Sequence, residues 1–169
     1  MRRVHSRTRE PGELAQRGWA AMDYSHDIFI SYKRHPETLS WIAAHLLPLL
    51  DLHIGNELGR QPKIYVHEIQ GQIPIGTAWP VELGEELSAS RTLIALWSKP
   101  YLSSTWCAEE LAVMMAREQT CGARTPANKF GLVIPVIVHD GESIPENLGI
   151  TQSLDIKAYY NPRIRRDND

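Results

Sequence analysis

Two residues on one expected helix carry the clearest chemical signal in this chain. Trp106 and Glu110 lie four positions apart within Ser98-Lys99-Pro100-Tyr101-Leu102-Ser103-Ser104-Thr105-Trp106-Cys107-Ala108-Glu109-Glu110-Leu111. Side chains at that spacing share one helix face, so an indole and a carboxylate stand together. Ser103, Ser104 and Thr105 are residue types whose hydroxyls cap a first turn. An aromatic beside an acid at a strand's C-terminal end is what a pocket needs. The same pair also arises on an ordinary amphipathic helix, so the elements around it must decide.

Those elements read in order. His26 to Tyr32 is rich in β-formers and reads as a buried strand, followed by the polar Lys33-Arg34-His35. Pro36 suits a first helical turn. Leu39, Ile42, Ala43, Leu46 and Leu47 then recur at helical spacing, and Pro48 is expected to kink or end that helix. Asp51 to Pro62, with Gly55 and Gly59, reads as a long connection. Lys63 to His67 is a second strand. Glu68 to Ala78 carries two glycines and a proline and reads as a loop, apolar enough to make a contact. Thr77 can cap a helix beginning near Pro80, with Leu83 and Leu87 inward.

Thr92 to Trp97 is the third strand. Thr105 to Gln119 is a helix with an expected core stripe of Ala108, Leu111 and Met115. Cys121 to Asn128 is a loop. Gly131 to Val138 is continuously apolar, which predicts a strand buried on both faces. Ser153 to Ala158 is a weaker edge strand. Alternating strands and helices imply an α/β fold with right-handed crossovers. Five strands suit a flavodoxin-like three-layer sandwich, a parallel sheet of order 2-1-3-4-5 with its switch point between strands one and three. Ligands of such sheets bind outside the strands' C-terminal ends. That crevice collects Ser31 to Arg34 and Ser98 to Glu110.

Bulk properties narrow the partners. The chain has 169 residues, 43% of them apolar, and a net charge of −2. One domain with its own core is expected. Neither a nucleic-acid nor a membrane partner is indicated, and no apolar run is long enough to span a bilayer. Cys107 and Cys121 are the only cysteines. They fit a reduced compartment, the cytoplasm, and Cys107 reads as a small buried hydrophobe. Seven histidines show no pair with metal spacing. Residues 1–23 carry five arginines and read as a flexible basic arm, and 162–169 as a polar tail.

With the elements placed, His26 to Arg34 resembles the first-strand motif of Toll/interleukin-1 receptor (TIR) domains. The loop after the second strand resembles their BB loop. Ser98 to Leu111 is similar to their motif S-x-x-Y-x-x-S-x-W-C-x-x-E-L. The resemblance spans residues 24–161 and lies nearer the bacterial and plant branches than animal receptors. It implies an NAD+ nucleosidase, a hydrolase with possible cyclase activity, that breaks the nicotinamide–ribose bond with NAD+ as substrate and no cofactor. The resemblance makes Glu110 the catalytic carboxylate and puts Trp106, Tyr32, Lys33 and Arg34 at the nucleotide. It also implies an immune effector or signal generator, antiphage in bacteria. Other TIR copies are the implied partners, as a homo-oligomer or filament, with an upstream sensor. Ile69, Ile73, Pro74 and Ile75 would form the assembly loop. The alternative is a non-catalytic adaptor that signals through TIR–TIR contact.

The chain departs from the family pattern in three places. Lys33 replaces a frequent arginine, His67-Glu68 ends the second strand where Ile-Asp-Asp is common, and the C-terminal helix is short or absent. Chemistry agrees with the resemblance. Loss of nicotinamide develops oxocarbenium character on the ribose, which a carboxylate stabilises. Lys33 and Arg34 can neutralise a pyrophosphate, and no G-x-G-x-x-G is present. Each residue also has a plainer reading. Glu110 can be a solvated helix residue, and Glu109, about 100° round the helix, competes with it. Trp106 can be core packing, and Lys33 and Arg34 simple loop charges. Trp79 can be a loop anchor, a ligand contact or a staple under its helix.

Overall fold

A computed structural model of the chain describes residues 24–70, 79–126, 130–140 and 152–163. Its centre is β1 (His26–Ser31), where Ile28, Phe29 and Ile30 supply the β-branched and aromatic side chains a buried strand favours. Parallel neighbours flank it on both sides: β2 (Ile64–Tyr65) and β3 (Ser90–Trp97). Beyond β3 lie β4 (Val133–Ile137) and β5 (Leu154–Asp155), giving the order 2-1-3-4-5. The flavodoxin-like expectation therefore stands.

Strand alternation divides the core in two. Phe29, Leu93, Ala95 and Trp97 face one way and pack with Leu83, Leu87, Cys107, Leu111 and Met114. Ile28, Ile30, Ile94, Leu96 and Val136 face the other way, with Trp41 and Ile42. The first layer is made by α4 (Trp79–Ser88) and α6 (Thr105–Thr120). The second is made by α1 (Pro36–Trp41) and α2 (Leu47–Leu58). At the base of β1, Asp27 accepts from both terminal nitrogens of Arg60 at 2.7 Å and from the Lys63 amide at 2.9 Å. Its Arg60 bonds hold the carboxyl down at about 2.

Pro48 does not end the helix. Between α1 and α2, Ile42–Leu46 forms a π-helical turn, and the Leu47 amide reaches back to the Ile42 carbonyl. The wider turn loosens the backbone just ahead of the proline ring, which would otherwise clash with the carbonyl four residues earlier. The helix then runs on to Leu58 and stops at Gly59, whose φ of +64° closes it in the left-handed conformation. The expected connection from Asp51 is therefore mostly helix.

Three smaller expectations change. The buried stripe of α6 is Cys107, Leu111, Met114 and Glu118, while Ala108 is exposed. The capping residue is Ser104, without a side-chain bond to the first turn. Along β4, Ile134 is 44% exposed, so one position of that strand opens to solvent. Beyond β5, no helix follows among the described residues. Tyr160 packs there instead, edge-on to Trp41 with centroids 4.9 Å apart, its hydroxyl 3.0 Å from Thr38 Oγ1.

Glu118 was not foreseen in the core. One carboxylate oxygen accepts from the Leu132 and Val133 amides at 2.5 and 2.7 Å, and the other from Arg124 Nε at 2.8 Å. Arg124 also donates to the Val133 carbonyl. A Cβ on Gly131 would collide with that guanidinium. The network fastens the end of α6 to the start of β4. Removing the acceptor strands two buried amides, each worth about 1–3 kcal/mol. Glu118→Ala is therefore expected to lower unfolding stability by about 3 kcal/mol in a denaturant titration. A loss within the scatter of surface mutants would show that water replaces the carboxylate.

Candidate active site

Ser31 is the last residue of β1, and alternation turns it towards the α6 layer. Glu110 lies one turn and a half inside α6 and faces the same strand end. The Ser31 hydroxyl donates to Glu110 Oε2. Tyr101, 1% exposed, places its hydroxyl 2.9 Å from Ser31 Oγ. The one serine proton goes to the carboxylate, so the tyrosine donates to the serine. Tyr101 is held by α5 (Lys99–Leu102), whose N-cap Ser98 accepts from the Tyr101 amide at 3.3 Å. Three elements thus converge on one carboxyl.

Burial governs the acidity of that carboxyl. It pushes Glu110 up to about 7, against the Ser31 hydrogen bond and the charge of Arg34, which both pull down. Burial likewise pushes the Tyr101 phenol up. Glu109 next door is exposed, so the solvated helix residue is Glu109.

The carboxylate opens onto a cavity of about 170 Å³ at the C-terminal end of the sheet. Tyr32, Lys33 and Arg34 line one side and Trp106 and Glu110 the other. Trp106 is 40% exposed, which places it on the rim rather than in the core. Five of the expected site residues therefore meet. Trp79 opens α4, but its side chain lies outside the described residues. So do Ile73, Pro74 and Ile75. Ile69 is 45% exposed on α3 (His67–Gln70) and does not line the cavity.

Four contributors lacked an assigned role in the sequence: Ser31, Tyr101, His67 and Glu68. Tyr32 donates to Glu68 Oε2 at 2.7 Å, and Arg34 Nε lies 3.9 Å from Glu68 Oε1. Tyr32 is pushed up, by burial first and then by this bond. His67 lines the cavity and is pushed down by burial and by Arg34. For His67 and Glu68 the position directly after β2 was the available signal, because strand ends of parallel sheets supply site residues. Among the described residues, no three His, Cys, Asp or Glu converge to hold a metal. No helix among them is long and apolar enough to cross a membrane.

A family model described as "TIR domain" matches residues 28–166. Among solved structures, the chain is similar to the TIR domain of the Toll-related receptor TRR-2 from the lower metazoan Hydra magnipapillata. That likeness has a TM-score of 0.56 at 19% identity, over 79% of this chain and 86% of the other. It is a likeness of fold. The chain also matches the TIR domains in a structure of the activated Roq1 resistosome directly recognizing the pathogen effector XopQ. There the identity is 26% and the TM-score 0.44, over 67% of this chain and 57% of the other. No curated protein matches the chain.

The raised pKa of Glu110 has a sign that can be tested. A carboxyl near 7 in the folded chain and near its ordinary 4.5 when unfolded favours folding in its protonated form. That support is complete below about pH 4.5 and is lost as pH rises through 7. Glu110→Gln should flatten this decline and be the more stable protein at pH 8, by on the order of 2 kcal/mol. Ser31→Ala removes a bond that favours the charged form, so the carboxyl should titrate at higher pH still. Carbon-detected NMR of the glutamate side chains reads both. A Glu110 midpoint near that of an exposed glutamate would overturn the assignment.

Proposed function

The chain belongs to the TIR domain family, and from that premise we propose that it cleaves NAD+ at the nicotinamide–ribose bond. One observation carries the reading. Glu110, four residues after a rim tryptophan, is a half-buried carboxyl pushed up to about 7, bonded by Ser31 and turned into a cavity at the sheet's switch point. A structural glutamate gains nothing from that placement, whereas a group that meets developing positive charge does.

The chemistry follows from the positions. The bond between ribose C1′ and the nicotinamide nitrogen breaks, and its electron pair neutralises the pyridinium. Nicotinamide therefore leaves without an acid. The ribose carries oxocarbenium character, which the Glu110 carboxylate stabilises from beside C1′. Water then adds to C1′, its proton passing to Glu110 and on to solvent, and ADP-ribose results. Trp106 covers the reacting end and limits water. Lys33 and Arg34 supply positive charge for the pyrophosphate. Arg34, paired with Glu68, is oriented from the β2 side.

Family membership also supports a part in immune signalling, with further TIR copies as partners. The exposed Ile69 on α3 is the described residue that bears on this. It is an exposed apolar side chain just after β2, in the segment expected to form the assembly loop.

Two measurements test these statements. Concentrated protein incubated with NAD+ should release nicotinamide, with kcat/KM rising with pH to a plateau above about 7. Glu110→Ala should lower kcat by about 100-fold or more. A wild type that stays silent even when induced to assemble would hand the chain to the adaptor reading. Ile69→Asp should reduce both the assembled mass seen by light scattering and nicotinamide release. Full activity from a strictly monomeric Ile69→Asp protein would show that the cavity works in a single copy.

A further inference from the structure

A second and larger cavity lies beside the first. It measures about 430 Å³ and shares Tyr32, Lys33 and Arg34 with the Glu110 cavity. Strand parity explains the arrangement. Ser31 points to the α6 layer, and Leu96 and Val138 to the α1 layer, where they belong to the second core cluster. One cavity therefore opens over each face of the sheet. The Lys33–His35 loop crosses the end of β1 between them.

Size separates what the two can hold. Pockets that enclose a drug-sized ligand run from about 300 to 1,000 Å³. The Glu110 cavity falls below that range and suits a nicotinamide with its ribose. A dinucleotide is far longer, and of the two cavities that adjoin this one among the described residues, the roomier lies past Lys33 and Arg34, about 430 Å³ against about 120 Å³ on the Trp106 side. Resting on the cleavage reading above, we infer that the second cavity is the subsite for the adenosine diphosphate half of the substrate. The substrate then straddles the C-terminal end of β1.

The lining matches that half, group by group. Leu96, Pro100 and Val138 give an apolar floor for a flat base. Tyr160 and His139 meet at 5.1 Å with an interplanar angle of 86°. Such a corner stacks a base on one ring and meets it with the edge of the other. Tyr160 is fixed by the Thr38 hydroxyl at 3.0 Å. Asp140 holds a φ of +48° at the cavity's edge. A left-handed backbone at a non-glycine residue is tolerated best by Asn and Asp and recurs at ligand sites. Its carboxylate suits the ribose hydroxyls, while Lys33 and Arg34, common to both cavities, suit the two phosphates.

The test uses ADP, which lacks the nicotinamide end, and Glu110→Gln protein, in which turnover does not interfere. By titration calorimetry, ADP should bind and should displace NAD+. His139→Ala and Lys33→Glu should each weaken ADP by about tenfold or more. Both residues are exposed, and a thermal melt checks that each variant is folded. No heat at millimolar ADP, or affinity unchanged in both variants, would overturn the subsite. So would ADP that binds while leaving NAD+ binding untouched, because that marks an independent nucleotide site. The cleavage reading fails separately. If wild type releases no nicotinamide while His139-dependent ADP binding persists, the catalytic assignment falls and the nucleotide site stands. If NAD+ is cleaved while ADP ignores both substitutions, only the subsite falls.

Discussion

A carboxyl group cannot leave water at the end of a sheet without a hydrogen-bond partner, and the Ser31 hydroxyl is that partner for Glu110. Much of the local structure serves this contact. The strand must reach Ser31 with the right parity, or the hydroxyl would face α1 and α2 instead of α6. Tyr101 must be buried at the same point to donate to the serine. The spacing from Ser98 to Leu111 then reads as a set of physical duties. Ser98 caps the short α5, which aims Tyr101. Ser104 starts α6, Trp106 stands on the rim, Cys107 and Leu111 enter the core, and Glu110 is left facing the strand end. Shifting any of these by one residue would turn the carboxylate about 100° away.

The sheet order was legible because alternating strands and helices leave few right-handed solutions. Apolar runs such as Thr92 to Trp97 marked the strands without ambiguity. Two things were not legible, and both have a physical reason. Pro48 reads as a stop because its ring clashes in a regular α-helix. A π-helical turn removes the clash, but its formation depends on how Trp41, Ile42 and the leucines after them meet the sheet. Nothing in the sequence around Glu118 announces its burial. Besides Arg124, six residues on, its partners are the Leu132 and Val133 amides of β4's entry. Glu110 over Glu109 rested on the family motif; in the fold the two differ in burial, Glu109 exposed and Glu110 half-buried. Ser31 and Tyr101 lie 79 and 9 positions from Glu110. Only the folded chain shows that all three share one point.

Charge around the cavity is arranged in the same economical way. Arg34 acts on two carboxylates: it approaches Glu68 within 3.9 Å, and its charge pulls the pKa of Glu110 down. Tyr32 also bonds Glu68. The short β2 makes this possible, since the chain turns into α3 at His67 immediately after Val66. The departure from the common Ile-Asp-Asp ending thus does not leave that strand end without an acid. Glu68 supplies one, and His67 adds a ring whose charged form burial and Arg34 disfavour.

Under the cleavage reading, the acidity of Glu110 is part of the mechanism and not a defect of it. Burial makes the ionised carboxyl costly, which is why it titrates near 7. A positive charge nearby offsets that cost, as Arg34 does in part. A ribose carbon that becomes cationic as nicotinamide leaves adds a second one, in a site less screened than bulk water. The interaction is therefore stronger in the transition state than in the bound substrate, which is the condition for raising kcat instead of merely tightening binding. Ser31 sets the balance. Its hydrogen bond keeps enough of the carboxyl ionised near neutral pH, and a fully solvated glutamate, ionised at no cost, would gain far less from the same cation.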